Sequence, residues 1–190
     1  MSQGKCVVFS APSGSGKSTL AKHLLAQPAC NLAFSISATS RPPRGNEEHG
    51  KDYYFLSGAA FKEKIAQGAF VEYEEVYPGM FYGTLKSELE RIWSLGLNAL
   101  FDIDAMGGIS IKKRYPTNTL AIFIKPPTID VLSERLNKRG TDSEEKIALR
   151  LAKATSELAH APAFDHVVVN DDLATAKKEV TQLAIEFLQA

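Results

Sequence analysis

The sequence has few of the residues that mark specialised classes of protein. It contains only two cysteines, Cys6 and Cys30, which are too few for a disulfide framework and offer no zinc-ligand spacing. Its four histidines are scattered without a metal-binding or catalytic-triad spacing. No apolar run approaches the ~20 residues that cross a membrane, and residues 1–9 lack the features of a secretory signal. We therefore expect a cytoplasmic protein with no membrane partner.

An excess of charge of either sign is also lacking. Lys and Arg total 22, as do Asp and Glu, so no global positive charge attracts a nucleic-acid backbone or an anionic membrane. The apolar fraction of 44% and the charged fraction of 23% are close to the averages for folded proteins, and 190 residues fit one domain. We predict a single globular domain with no nucleic-acid partner, in which any bound anion is held locally.

Apolar runs alternate with helical segments along the chain. Residues 6–9 predict a buried strand, and a Gly-rich turn leads from it into a helix over about 17–26. Similar apolar runs at 99–101, 120–124 and 167–169 each precede a helix-like segment. Repeated alternation of this kind predicts an α/β fold in which helices cover both faces of a central parallel sheet, giving three layers.

A segment at about 37–84 departs from this alternation. It is rich in Arg, Tyr, Gly and Pro, and it contains β-like pieces around 53–56 and 70–76 with a short helix signal at 61–66. We predict a mainly β insertion that carries part of the functional site, because function tends to lie on excursions from a rigid scaffold.

A second departure, at about 138–150, joins two amphipathic helices and mixes basic with acidic side chains. We predict that this segment is a small, mobile helical lid. The core of the single domain then comprises about 1–36, 85–137 and 151–190.

The turn after the first strand contains the residues expected to surround a triphosphate. They are Ala11, Pro12, Ser13, Gly14, Ser15, Gly16, Lys17, Ser18 and Thr19. Their spacing is that of a P-loop, except that Ala11 replaces the usual first glycine. The alternative is a Gly/Ser turn that merely connects two elements, but the preceding strand and following helix favour the P-loop. The sequence thus predicts an ATP site and a fold of the P-loop NTPase type.

The P-loop assigns chemistry to a few side chains. Lys17 would bridge the β- and γ-phosphates and follow the transferred group, and Ser18 would ligate Mg²⁺. Asp102 ends an apolar strand and is a candidate for the outer shell of that Mg²⁺. The alternative for Asp102 is a cap on the following helix.

Arginines are clustered in two places where they could neutralise phosphates. Arg41 and Arg44 lie in a proline-braced turn that could clamp a monophosphate, because a guanidinium pairs two phosphate oxygens at once. Arg135, Arg139 and Arg150 flank the lid. The alternative for each arginine is an ordinary solvated surface position.

Longer segments resemble the guanylate kinases over nearly the whole chain. The similar segments are 35–44 (SISATSRPPR), 50–55 (GKDYYF), 70–73 (FVEY), 82–84 (YGT), 102–104 (DID), 138–142 (KRGTD) and 169–172 (VNDD). The resemblance implies a kinase that uses ATP and Mg²⁺ to phosphorylate GMP, and dGMP, to the diphosphate. After Asp104 the chain departs from the family, with AMGG at 105–108 where many members carry Trp-Gln-Gly.

The resemblance also implies roles for individual residues. Those expected to hold the GMP phosphate are Arg41, Arg44, Tyr53 and Tyr82. Those expected to read the guanine are Ser37, Glu72, Thr84 and Asp104. Those expected to reach the ATP phosphates are Arg139 and Arg150, with Arg135 assisting, while Asn170 lies near the adenine. Guanine presents N1–H and N2–H₂ donors, from which a carboxylate can accept hydrogen bonds. Adenine has no donor at N1, so Glu72 is the residue expected to distinguish guanine from adenine.

Two other functions remain alternatives. A kinase of the same fold could phosphorylate another acceptor, such as a ribose bisphosphate, but Ser37, Glu72 and Thr84 argue against it. A guanylate-kinase-like interaction module could bind phosphorylated partners in the acceptor pocket, but the intact GKS at 16–18 argues against that. The sequence leaves the oligomeric state open, a homo-oligomer included.

Overall fold

A computed structural model describes residues 4–138 and 144–190, with only the backbone of residue 146. Within these ranges the strands are β1 (Cys6–Ser10), β2 (Leu32–Phe34), β3 (Ala38–Thr39), β4 (Tyr54–Phe55), β5 (Phe70–Tyr77), β6 (Met80–Leu85), β7 (Asn98–Asp102), β8 (Thr119–Lys125) and β9 (His166–Val169). The α-helices are α1 (Lys17–Leu25), α2 (Gly58–Ala66), α3 (Lys86–Ser94), α4 (Ala105–Arg114), α5 (Ile129–Lys138), α6 (Glu144–Leu158) and α7 (Leu173–Gln189). Short 3₁₀ helices occupy Pro28–Cys30 and Ala161–Ala163.

The core is a five-stranded parallel sheet in the order β2-β7-β1-β8-β9. All five residues of β1 are buried, as are all residues of β8 except Lys125. Central strands of a parallel sheet are covered on both faces, which explains why they are continuous apolar runs in the sequence. The strands predicted at 6–9, 99–101, 120–124 and 167–169 are confirmed.

Helices pack on both faces of this sheet. On one face, α1 and α7 contact each other and bury a cluster that includes Leu20, Leu24 and Val180. On the other face, α3 and α4 contribute Leu89, Ile92 and Ile111 to clusters with the sheet. The predicted three-layer α/β/α fold is confirmed.

The second sheet lies within the predicted insertion and has the order β4-β3-β6-β5. It is mainly antiparallel, since β5 and β3 both pair antiparallel with β6. Helix α2 packs Phe61 against Phe70 and Phe81, with ring centroids 4.4 and 5.5 Å apart. Ser57 accepts a hydrogen bond from the Ala60 amide and so caps this helix. A mainly β insertion with one helix was predicted, and this is what the residues form.

Helices α5 and α6 flank residues 139–143. They pack together through Leu132, Leu136, Ile147 and Ala154. The predicted lid at 138–150 therefore lies partly outside the described residues, and Arg139 lies wholly outside them. None of the helices in the described ranges is both long and apolar enough to cross a membrane.

The topology brings several predicted site residues to one edge of the core sheet. The P-loop follows β1, Asp102 ends β7 and Asn170 follows β9, so all three lie at the carboxyl ends of parallel strands. Ligands of open α/β sheets bind beyond these ends.

Candidate active site

The loop between β1 and α1 has the backbone conformation of an anion cradle. Gly14 and Gly16 have φ values of 96° and 89°, in the left-handed region that favours glycine. Gly16 is the N-cap residue of α1, and no side chain caps this helix end. The amides of its first turn are therefore available to a phosphate, and the helix dipole favours negative charge there.

The cradle is packed tightly from behind. A Cβ at Gly14 would lie 2.9 Å from Leu132 Cδ1, and a Cβ at Gly16 would lie 2.3 Å from Asn170 Nδ2. Ala11 replaces the usual glycine without backbone strain, because its φ is not in the left-handed region. Among the described residues, Asn31 is the only non-glycine residue with positive φ. The shape of the loop is therefore set by its neighbours as well as by its own glycines.

Lys17 and Ser18 meet the same carboxylate at the end of β7. Lys17 Nζ lies 2.6 Å from Asp102 Oδ1 and donates to the Ile103 carbonyl at 2.7 Å. Ser18 Oγ donates to Asp102 Oδ2 at 2.6 Å. The cap of the following helix is a different residue, because Asp104 Oδ1 accepts from the Gly107 amide at 2.9 Å. Asp102 thus faces the P-loop, and its role as an outer-shell partner of Mg²⁺ stays a prediction.

The oxygen donors at this point suit Mg²⁺. Ser18 offers a hydroxyl and Asp102 a carboxylate, both hard ligands, and they lie within hydrogen-bonding distance of each other. No group of three or more His, Cys, Asp or Glu side chains in the described ranges could hold a metal ion by itself. A Mg²⁺ bound here would take its remaining ligands from water and phosphate oxygens, as at other P-loops.

Two cavities meet at Lys17. The larger, of about 460 Å³, is lined by the P-loop together with Ser37, Asp52 and Tyr53. The smaller, of about 210 Å³, extends toward Glu72 and Tyr82 in the insertion. Both are also lined by Ser37, Tyr53, Asp102 and Asp104, so they form one cleft with Lys17 at its centre.

Glu72 and Thr84 form a polar pair at the smaller cavity, which Glu72 lines. They are register partners on β5 and β6, and Thr84 Oγ1 donates to Glu72 Oε1 at 2.7 Å. Burial raises the pKa of the Glu72 carboxyl to about 7, although the hydrogen bond from Thr84 acts in the opposite direction. Gly107 of α4 leaves room for this carboxylate, since a Cβ there would lie 3.1 Å from Glu72 Oε2. Asp104, at the start of α4, lines the same cavity.

Arg41 is buried and makes many hydrogen bonds. Its Nε donates to the Tyr82 hydroxyl at 3.2 Å, and its Nη1 donates to the Pro42 carbonyl at 3.0 Å. Its two terminal nitrogens donate to the two oxygens of Glu47 at 2.6 and 2.8 Å. The Arg41 guanidinium also lies over the Tyr53 ring, 4.9 Å from its centroid. Arg41, Tyr53 and Tyr82 are therefore brought together, and their role in holding the GMP phosphate stays a prediction.

Glu47 is a member of this cluster that sequence reasoning missed. Besides Arg41, it accepts a hydrogen bond from the Arg44 amide at 2.8 Å, while the Arg44 residue is exposed. The hydrogen bonds from Arg41 and the Arg44 amide lower the pKa of Glu47 to about 2. The only signal for Glu47 in the sequence was a carboxylate three residues after Arg44, close enough to pair with the arginines of this turn.

The remaining predicted cations lie around the P-loop. Arg150 Nη1 donates to Ser13 Oγ at 3.0 Å, so α6 reaches the phosphate cradle. Arg135 Nη2 donates to the Asn170 carbonyl at 2.9 Å. Asn170 is buried, and its Nδ2 donates to the Ser15 carbonyl at 2.8 Å. Asn170 therefore supports the P-loop, and its predicted role near the adenine stays a prediction.

Two further carboxylates near the cleft were missed by sequence reasoning. Glu74 lies two residues after Glu72 on β5, and burial together with the nearby charge of Asp104 raises its pKa to about 6. Glu157 of α6 lines the larger cavity, and burial raises its pKa. The spacing of Glu72 and Glu74 was a usable signal for Glu74, because alternate residues of a strand share a face.

Comparisons with known proteins show the family of this chain. The family model described as guanylate kinase matches residues 3–186. The guanylate kinase of Bacteroides fragilis is 56% identical over 98% of this chain and 91% of its own length. That of Porphyromonas gingivalis is 52% identical over 97% of this chain and 98% of its own length.

A solved structure gives the same result. The crystal structure of guanylate kinase from Anaplasma phagocytophilum superimposes with a TM-score of 0.77 at 30% identity. The match covers 100% of this chain and 89% of that one. On this evidence, the chain belongs to the guanylate kinase family.

Proposed function

We propose that this chain transfers the γ-phosphoryl group of ATP to GMP or dGMP, producing ADP and GDP or dGDP, as a step of purine nucleotide metabolism. The observation that carries the proposal is the position of Lys17 at the junction of the two cavities. The P-loop lies on one side of Lys17, and the Glu72–Thr84 pair lies on the other. A donor phosphate and an acceptor nucleotide bound in this cleft would meet at the Lys17 ammonium.

On the donor side, the P-loop amides and Lys17 hold the β- and γ-phosphates. Ser18 and, through water, Asp102 would hold Mg²⁺, which would neutralise charge on the phosphates when bound. Lys17 has to leave its present contact with Asp102 or share it with a phosphate oxygen. Arg150 adds positive charge at Ser13, at the rim of the cradle.

On the acceptor side, Glu72 accepts hydrogen bonds from guanine N1–H and N2–H₂. Thr84, Ser37 and Asp104 complete the recognition of the base. Arg41, Arg44, Tyr53 and Tyr82 hold the phosphate of the acceptor, and the planar guanidiniums pair two of its oxygens. Adenine would leave Glu72 with only the hydrogen bond from Thr84 in a mostly buried pocket, and the unsatisfied carboxylate oxygen costs more than the missing contacts alone.

The chemical step needs little from the protein beyond position and charge. A phosphate oxygen of GMP attacks the γ-phosphorus of ATP in line with the bond to the bridging oxygen, and that bond's electron pair leaves with ADP. No protein nucleophile is required. We propose that the insertion (37–84) and the lid (138–150) close over the two nucleotides and exclude water, with Arg135 and Arg139 joining the charge clamp.

The substrates GMP, dGMP and ATP are thus the proposed small-molecule partners. The lack of a nucleic-acid partner and the cytoplasmic location stay predictions, and the oligomeric state stays open.

A coupled assay for ADP with a panel of acceptors tests the proposal. With saturating ATP and Mg²⁺, we expect rapid ADP formation with GMP and dGMP and little with AMP, CMP or UMP. Equal rates with all five acceptors would contradict the assignment of Glu72 and its neighbours. An absence of ADP formation with every acceptor would contradict phosphoryl transfer itself.

A further inference from the structure

A buried carboxylate lies behind the acceptor site. The Glu88 side chain, in the first turn of α3, has 0% exposure and four hydrogen-bond donors around its two oxygens. The Ile36 amide donates to Oε1 at 2.9 Å, and the Tyr54 hydroxyl donates to Oε2 at 2.8 Å. Arg91 donates from Nη2 to Oε1 at 2.8 Å and from Nε to Oε2 at 2.9 Å.

Two partners of Glu88 lie far from it in the sequence, one just before the insertion and one within it. Ile36 lies where the chain leaves the core sheet, one residue after Ser35, whose amide donates to the Leu100 carbonyl of β7 at 2.9 Å. Tyr54 begins β4 in the second sheet. Glu88 itself lies where the chain returns to the core after β6. One carboxylate therefore joins the entry, the middle and the exit of the insertion.

Two predicted acceptor ligands are neighbours of these contacts in the chain. Ser37 follows Ile36, and Tyr53 precedes Tyr54. The Tyr54 amide also donates to the Ser37 carbonyl at 2.9 Å, so the two backbone segments are tied directly to each other. Ser37 and Tyr53 line both cavities, whereas Glu88 lines neither of the two.

We propose that Glu88 is a positioning residue of the acceptor site, which fixes the backbone from which Ser37 and Tyr53 reach the bound nucleoside monophosphate. The inference rests on the proposed function, because it assigns these two side chains to the acceptor. Glu88 does not touch the nucleotide itself. Its hydrogen bonds fix Ile36 and Tyr54, and these two residues fix the backbone of the adjacent Ser37 and Tyr53.

The contacts require a carboxylate and not merely a polar side chain. All four donors point at its oxygens, and two of them belong to a guanidinium. Burial alone would raise the pKa of Glu88, but the hydrogen bonds from Arg91, Ile36 and Tyr54 outweigh it and hold the pKa below its usual value. Glutamine has one acceptor oxygen, so its amide nitrogen would face an Arg91 nitrogen together with either the Ile36 amide or the Tyr54 hydroxyl, and Arg91 would lose one of its two acceptors.

The first test is Glu88→Gln, with KM measured separately for each substrate well below the melting temperature. We expect KM for GMP to rise about tenfold, the effect of losing one or two charged hydrogen bonds, and KM for ATP to stay within about twofold. Tyr54→Phe removes a single donor, so we expect a smaller rise for GMP alone. This second variant keeps the test decisive if Glu88→Gln does not fold.

A matched control is Ile92→Val on the same helix. Ile92 is fully buried and packs in the core cluster with Val8, Leu89 and Phe101. The Ile92→Val variant should have a lower melting temperature and an unchanged ratio of KM for GMP to KM for ATP. If Glu88→Gln shifted both KM values equally, or neither, Glu88 would be no more than a structural residue of α3 and the proposal would be wrong.

Hydrogen exchange gives a readout that does not depend on activity. In Glu88→Gln we expect faster exchange of the Ile36 amide, which loses or weakens its acceptor, and of the Tyr54 amide, while α1 amides are unchanged. Unchanged exchange at both amides would overturn the proposed anchor. If the unsubstituted chain gave no ADP from GMP, the proposed function would fail instead, and the exchange result would still decide whether the anchor exists.

Discussion

The donor and acceptor halves of the cleft are built in different ways. The donor half is one continuous segment, the loop between β1 and α1, which packs against Leu132, Leu136 and Asn170. Its proposed phosphate ligands are mainly backbone amides. The acceptor half is assembled from β3 to β6 and the start of α4, and its proposed ligands are side chains. The geometry of the donor half is therefore set by the loop itself and by the core around it, whereas the geometry of the acceptor half depends on contacts between residues from separate elements.

The side chains of the acceptor half hold one another in place. Thr84 donates a hydrogen bond to Glu72. Arg41 donates to Glu47, and its guanidinium lies over the Tyr53 ring. A substitution there should therefore disturb recognition of one substrate and leave the other intact. A substitution in the donor half should instead abolish turnover with every acceptor. Variants at Lys17, Glu72 and Ser57, together with changes of pH, test this division in order of decreasing expected effect.

Removing the ammonium at the junction of the two halves should have the largest effect. We expect Lys17→Ala to lower kcat by about a thousandfold or more, because that charge stabilises the transferred phosphoryl group most strongly in the transition state. The measurement is steady-state kinetics with GMP, alongside circular dichroism to check folding. Lys22→Ala, an exposed lysine on the same helix, is the matched control and should behave normally. Near-normal turnover by Lys17→Ala would show that the cradle is misassigned.

Neutralising the base-reading carboxylate should affect the acceptor half alone. We expect Glu72→Gln to lower kcat/KM for GMP by roughly 10² to 10⁴, because guanine donors then face an amide. Calorimetry should show nearly unchanged binding of an ATP analogue. Glu75→Gln, on the exposed face of the same strand, is the control. Equal losses of ATP and GMP binding in Glu72→Gln would break the division between the halves.

The pH dependence should also be confined to the acceptor half. Because burial raises the pKa of Glu72 to about 7, the carboxyl becomes protonated as the pH falls through that value and accepts guanine donors poorly. We expect kcat/KM for GMP to fall about tenfold from pH 8 to pH 6. The phosphate of GMP titrates near pH 6. The profile is therefore read against Glu72→Gln, which should lack the step assigned to Glu72.

The raised pKa of Glu72 also determines how the stability of the fold changes with pH. A carboxyl that binds its proton more tightly in the folded state contributes less to the free energy of unfolding as the pH rises from about 4.5 to about 7. Over that range Glu72→Gln should gain stability relative to the unsubstituted chain, as followed by thermal melts. A difference that did not change with pH would contradict the raised pKa.

The smallest effect should come from the cap of α2. Ser57→Ala leaves the Ala60 amide without its acceptor and should destabilise the fold by about 1 kcal/mol, or a few degrees in Tm. Kinetic constants at low temperature should not change, because α2 lies outside the cleft. A separate early melting transition would show that the insertion unfolds independently of the core.

The same division decides what could be predicted from the sequence. The P-loop and the central strands were predictable because their signals are local: a spacing of glycines, or a run of apolar residues covered on both faces. Strand β2 was not predicted, since Leu32–Phe34 is too short for a distinctive pattern. The Glu72–Thr84 pair was found only through the resemblance, because its register contains irregularities on β5 that no local pattern reveals.

The contacts of Glu88 could not be predicted for the same physical reason. Glu88 meets Ile36 across 52 residues of chain and Tyr54 across 34, and its own neighbourhood in the sequence is that of an ordinary exposed helix. Only folding of the insertion onto the core makes it a buried, four-donor carboxylate.

A crystal structure with a bisubstrate analogue, adenosine and guanosine joined through five phosphates, tests the central claim most directly. We predict guanine within about 3 Å of Glu72 and Thr84, and phosphate oxygens on the amides of the P-loop with Lys17 between the two halves. Guanosine bound away from Glu72, or phosphates outside the loop between β1 and α1, would contradict the account.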